Sequence, residues 1–177
     1  MVTSKELLLT SITHFYDKNP SYKELLKCII DGRHPVSLRL LDGFITHYAK
    51  VNHTLFWIDG VGQIQEQGLA SYKKVQVYLE YRAQLKSYTK MYFDPFRRHE
   101  RISFVVHSKP LVTIETTIGQ LNFFRWVFQS HILDYVLAHM ETIEESLVKT
   151  HAVAGGEKEK QKTKNTITEA KCFLKFD

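Results

Sequence analysis

The chain has 177 residues, 44% of them apolar and 12% aromatic, with a formal charge of +5 at neutral pH and a pI near 9.1. That apolar content suffices for one packed domain and excludes a disordered or fibrous chain, while the positive balance favours an anionic partner: nucleic acid or an acidic protein surface. Cys28 and Cys172 lie far apart without metal-ligand spacing, which argues against a disulfide scaffold or a zinc site; no apolar run approaches the roughly 20 residues that span a bilayer, and the hydrophobic stretch after Met1 breaks too early for a signal peptide, so no membrane association and no secretion are expected.

Thr3-Ser4-Lys5-Glu6 has the pattern of a capping box, and Leu8, Ile12, Phe15 and Tyr16 follow at helical spacing. Asn19-Pro20 starts a second helix, with Tyr22, Leu25, Leu26 and Ile29 on its apolar face and Asp31-Gly32 at its end. A third helix is predicted from about Pro35 to Lys50, with Leu40, Leu41, Phe44 and Tyr48 inward. HTLFWID, residues 53–59, reads as a buried strand, and the glycine-rich GVGQIQEQG after it as a loop. A long helix follows over about 71–93.

Residues 102–106 and 111–116 are β-rich runs joined by the turn-like His107-Ser108-Lys109-Pro110, so they should pair as a hairpin. Thr117 and Gln120 suggest a second capping box that opens a helix over 118–129, and another helix is predicted over 132–148. HAVAGGEKEKQKTKN, residues 151–165, is poor in apolar side chains and is expected to be a flexible linker. In residues 166–177, Cys172, Leu174 and Phe176 alternate with Lys171, Phe173 and Lys175, the pattern of a strand over about 168–176 returning to the sheet. The expected fold is α+β. A helical N-terminal part leads into a small, mostly antiparallel sheet packed by the helices 71–93, 118–129 and 132–148, with residues 1–150 as one domain.

Charge is unevenly spread along this frame. From Lys73 to Arg101, eight basic residues face only Glu80, Asp94 and Glu100, so the segment by itself carries the whole formal excess. On a continuous helix Lys74, Arg82, Lys86 and Lys90 would share one i, i+4 row, followed at once by Arg97, Arg98 and Arg101 in YFDPFRRHERI. With Tyr88 and Tyr92 interleaved, those residues suit phosphate neutralisation supplemented by stacking; a solvated charged face is the plainer alternative. Asp94-Pro95 ends the helix, because proline disfavours the α conformation before it, and Phe93 and Phe96 are expected to anchor the corner in the core. The run FFRWVF makes its helix apolar nearly all round, so Phe123, Phe124, Trp126 and Phe128 belong either to the core or to a partner interface, self-association included.

Signals of chemistry are weak. His47, His53, His131 and His139 fall in no metal-binding pattern, Gly60 to Gly62 lacks the rest of a phosphate-binding loop, and Asp59, Glu80 and Arg82 only faintly echo a nuclease. No metal, cofactor or catalytic residue is therefore expected. The strings SLRLLDGFITHYAK, YRAQLKSYTKMYFDPFRRHERI and TTIGQLNFFRW resemble a conserved uncharacterised family of nucleocytoplasmic large DNA viruses, over about residues 37–147. That resemblance implies a viral setting, either the cytoplasmic replication compartment or the virion, and no particular chemistry. Two readings follow. One is a non-enzymatic protein that binds nucleic acid or a genome-bearing assembly through the basic helix and arginine corner; the other is a virion interaction protein that uses the aromatic helix.

Overall fold

Thr3 closes the start of α1 (Ser4–Lys18) reciprocally: its hydroxyl accepts the Glu6 N–H at 3.2 Å and its own N–H donates to the Glu6 carboxylate at 2.7 Å. The bond from the Thr3 N–H foremost, and one from the Thr3 hydroxyl to the same carboxylate, hold the Glu6 carboxyl below its ordinary pKa. The computed structural model describes residues 2–150 together with 152 and 153. The chain divides into one unit comprising residues 1–140 and a second beginning at Glu141.

In the first unit α2 (Pro20–Ile30) opens on its proline, and the chain leaves it through Gly32 at φ 71, a left-handed backbone that glycine adopts freely. The third helical stretch starts later than Pro35, because the ring of His34 takes the Val36 N–H at 3.1 Å and Ser37 supplies the cap. It comprises α3 (Leu38–Gly43), a π-helical turn over Phe44–Tyr48 and α4 (Ala49–Val51).

Strand β1 (Leu55–Ile58) lies inside the run read as a strand, but its partners differ from those expected. It pairs antiparallel with β2 (Ile64–Gln65) on one side and β3 (Lys73–Gln76) on the other, in the order β2-β1-β3. The Asp59 carboxylate builds the first of these turns by accepting the Val61 and Gln63 N–H groups at 3.0 and 2.8 Å. Farther along the connection, Gly68 lies so close to the Trp57 indole that a Cβ would stand 2.1 Å from Nε1. Two expectations are corrected here: the glycine-rich loop holds a short strand, and residues 73–76 are strand instead of the start of a long helix. Val75, opposite Phe56 of β1, and Val77 are both buried while Lys74 and Gln76 are exposed, and burying this alternating face outweighs the helical propensity of the segment.

Strands β4 (Ile102–Ser108) and β5 (Leu111–Thr116) form the predicted hairpin, with an irregularity between Val105 and His107. They make a sheet of their own and do not join β1, so among the described residues the single sheet read from the sequence is two sheets. The proposed linker from 154 on and the returning strand at 168–176 lie outside the described residues, while 152 and 153 are helical. Within these limits the fold is α+β, as expected.

Helix α6 (Ile118–Gln129) lies at the centre of the unit. The Tyr16 hydroxyl of α1 crosses to it and donates to the Leu121 carbonyl at 3.0 Å, and the same ring meets Phe104 and Phe128 edge-on. Tyr22 of α2 stacks on Phe128 at 4.7 Å, and Phe93 approaches Phe123 edge-on at 5.7 Å. Such pairs add specificity of orientation to the area they bury. After α6 the chain turns through His131, at φ 53, into α7 (Ile132–Ala138). The predicted helix 132–148 is interrupted at His139, whose ring and backbone N–H both turn back to the Tyr135 carbonyl; residues 141–150 of the second unit are helical again.

Burial drives the Tyr16 hydroxyl pKa well above that of an ordinary tyrosine, outweighing the nearby charge of Arg125, which acts the other way. The folded protein therefore keeps a proton that the unfolded chain releases above about pH 10, so this contribution to stability is intact below that pH and is lost as pH rises past it. In urea titrations, Tyr16→Phe should lower stability by about 0.5 to 1.5 kcal/mol at neutral pH, because the Leu121 carbonyl loses this donor and keeps only its partner within the helix. Above pH 10 the variant should weaken less steeply than the parent protein. Parallel slopes there would contradict the assignment.

Candidate anion site at the arginine corner

The segment YFDPFRRHERI begins as the last turn of α5 (Val77–Phe93). That helix is not continuous: Thr89 sits at φ 61, ψ 169, a region that is essentially reserved for glycine. Beyond it the Asp94 N–H closes on the Lys90 carbonyl at 3.1 Å, and the Asp94 carboxylate accepts the Phe96 N–H at 2.9 Å. Phe93 and Pro95 point into the core as a result. Phe96 does not, being 49% exposed, which corrects its expected role as an anchor; the turn at Asp94 directs its ring outward while Pro95 fills the interior.

The corner rests on the first turns of α6. Asn122 donates from Nδ2 to the Tyr92 carbonyl at 2.9 Å, and Gln120 donates from Nε2 to the Pro95 carbonyl at 3.2 Å. Between them Gly119 meets bare backbone: a Cβ there would lie 3.0 Å from the Asp94 oxygen and 3.2 Å from that of Met91. The Thr117 hydroxyl accepts the Gln120 N–H at 3.1 Å, as the capping pattern predicts. The Gln120 side chain, however, accepts from Thr116 Oγ1 at 2.6 Å and tethers the corner instead of completing a box.

On this support Arg97, Arg98 and Arg101 line a recess of about 230 Å³, together with Ile30, Leu38, Phe96, Glu115 and Thr117. Their acidic sequence neighbours form no ion pair with them. Glu100, itself in a left-handed backbone at φ 59, reaches away to Lys5 Nζ at 3.0 Å. The bond to Lys5 and then its charge, with a smaller contribution from Arg97, hold the Glu100 carboxyl below its usual pKa. Asp94 is engaged by the Phe96 N–H. Among the described residues, no carboxylate lies within 4.0 Å of any of the three guanidinium groups.

The other basic candidates are dispersed. Lys74 lies on β3 opposite Trp57, not on the helix row, which corrects the continuous ridge. Arg82 and Lys86 are exposed on α5 and share a shallow hollow of about 380 Å³ with Ala83 and Leu85. Lys90 is exposed beyond the break at Thr89. Tyr88 is half-buried, stacked on Phe93, and its hydroxyl accepts from Arg125 at 3.4 Å; Tyr92 is half-buried with its carbonyl held by Asn122. Phe123, Phe124, Trp126 and Phe128 are all buried, so the aromatic run is core and not an open partner face.

Arg125 went unassigned in the sequence reading, although a lone charge on an apolar helix marks it. It donates to Asn122 Oδ1 at 2.6 Å and to Ser11 Oγ at 3.1 Å, joining α1 and α5 to α6. Asp42 also lies near the corner: burial raises its carboxyl pKa, and the charge of Asp94 adds to the shift. Among the described residues, no group of three His, Cys, Asp or Glu side chains is placed to hold a metal, and no helix is long and apolar enough to cross a membrane.

An α+β protein with a cationic recess at a helix corner is the class these features define. The chain belongs to DUF7197, a family of unknown function whose sequence pattern matches residues 2–172. It is 33% identical over 168 residues to "Uncharacterized protein L507" of Acanthamoeba polyphaga mimivirus, a match that covers 93% of this chain and 60% of that protein. The chain thus spans about 60% of the length of the curated relative it matches. The viral, uncharacterised family suggested by the three sequence strings is the one found. No solved structure matches the chain.

Two substitutions test how the corner is built. Gly119→Ala should destabilise the fold by about 1 to 3 kcal/mol, because the contacting atoms are backbone carbonyls with little room to yield. Thr89→Gly should leave the melting temperature unchanged or raise it by relieving the strained backbone, whereas Ala83→Gly in the same helix should cost about 1 kcal/mol. Equal losses at positions 83 and 89 would remove the strain from the account.

Proposed function

We propose that this protein binds nucleic acid without acting on it chemically, and that it serves the handling or assembly of a viral genome in the cytoplasmic replication compartment or the virion. The observation that carries the reading is the set of three arginines on one recess, where Glu115 is the single acid in the lining and the chain neighbours Asp94 and Glu100 have partners of their own. Guanidinium groups without a carboxylate partner keep their donors available for phosphate, which they bind as planar forks. Arg82 and Lys86 add a second cationic surface on α5. The alternative, a virion interaction protein working through its aromatic helix, loses support because that helix is buried.

Binding to DNA and RNA, titrated against salt, tests the reading directly. Replacing Arg97, Arg98 and Arg101 together by Ser should weaken binding and flatten the plot of log affinity against log salt, by up to about 0.9 per lost contact on duplex DNA or about 0.7 on a single strand. Arg82→Ser with Lys86→Ser should produce a smaller change of the same kind. An unaltered slope in a folded triple variant would exclude the corner as the phosphate contact.

A further inference from the structure

We propose that the recess at the arginine corner receives a phosphate monoester, the terminal phosphate of a nucleic-acid strand, so that the protein recognises phosphorylated strand ends. The inference rests on the nucleic-acid reading above and specifies which part of the strand the arginines hold.

Size comes first. At about 230 Å³ the recess is smaller than the clefts of roughly 300–1,000 Å³ that enclose drug-sized ligands, so one compact group suits it better than an enclosed nucleotide. Shape points the same way. Its walls come from Ile30 of α2, Leu38 of α3, the corner itself and the start of α6 at Thr117, which surround a hollow instead of presenting a ridge. A phosphodiester inside a strand carries a sugar on each side and lies along the strand, so a surface patch suits it better than a hollow. A terminal phosphate has one substituent and can enter with three oxygens leading.

Charge supplies the third argument. Arg97, Arg98 and Arg101 share the lining of the recess with Glu115, and three cations with one anion leave an excess of two positive charges. A phosphate monoester carries about 1.5 to 2 negative charges at neutral pH, whereas a diester carries one. The recess therefore matches the end of a strand better than its interior. Phe96 gives the fourth: it lines the recess with its ring half exposed, so its open face is placed to stack the first base beyond the phosphate.

The test uses the full chain and short single-stranded oligonucleotides of one sequence, carrying an internal fluorophore and ending in a 5′-phosphate, a 3′-phosphate or hydroxyls only. Fluorescence anisotropy should show at least one phosphorylated form binding about tenfold or more tightly than the hydroxyl form, the scale of an added charge-assisted hydrogen bond. Arg98→Ser and Arg101→Ser should each reduce that preference, and Glu115→Gln should increase affinity for the phosphorylated form. Phe96→Ala should weaken binding of both forms.

Equal affinity for phosphorylated and hydroxyl ends would overturn the inference while leaving the nucleic-acid reading in place; absence of binding to any oligonucleotide would overturn both. A phosphoserine peptide that binds through the same arginines when the oligonucleotides do not would make the occupant a protein, and the inference would fail. Should a serine variant unfold, Arg98→Lys and Arg101→Lys decide, since lysine keeps the charge but loses the fork, and an undiminished preference in both would count against the recess.

Discussion

The constraint on which the corner depends is the contact between the Met91–Pro95 backbone and the first turns of α6. A carbonyl can approach a helix this closely only where the helix has no side chain, and Gly119 provides that position. Asn122 and Gln120 then satisfy the Tyr92 and Pro95 carbonyls that ending a helix leaves without partners. Because α6 is itself gripped by α1 through Tyr16 and by α2 through Tyr22, the corner is referenced to the middle of the core and not to a surface loop. The arginines that follow inherit this fixed position.

Backbone strain marks the two ends of the same segment. Thr89 and Glu100 both have positive φ without being glycine, and such residues persist only where surrounding contacts over-determine them. The first re-aims the last turn of α5 so that Phe93 reaches the core. The second lets the Glu100 carboxylate pair with Lys5 on α1 and not with the arginines that precede and follow it, although the charge of Arg97 still reaches it.

The three strings that carry the family resemblance are distant in the chain but meet here. Leu38 and the arginines line one recess, Asp42 lies near Asp94, and Gly119 to Asn122 support the turn between them.

Much of the local architecture was legible in the sequence. The caps at Thr3 and Thr117, the proline start at Pro20, the hairpin over residues 102–116 and the helix end at Asp94-Pro95 are consequences of groups adjacent in the chain, and hydrogen bonds and steric clashes over a few residues determine them. The composition and spacing of the arginines were equally plain. What the tertiary structure decided is whatever depends on a distant partner: that Lys74 pairs with β1 instead of extending a helix, that two sheets form where one was read, that Phe96 faces outward, and that the aromatic run of α6 is enclosed. It also decided how these charges are partnered, because only the fold could bring Lys5 from the start of the chain to Glu100. Periodicity records which face of an element is apolar; it carries no information on which other element will cover that face, and at this corner that pairing determines which charges remain open to a ligand.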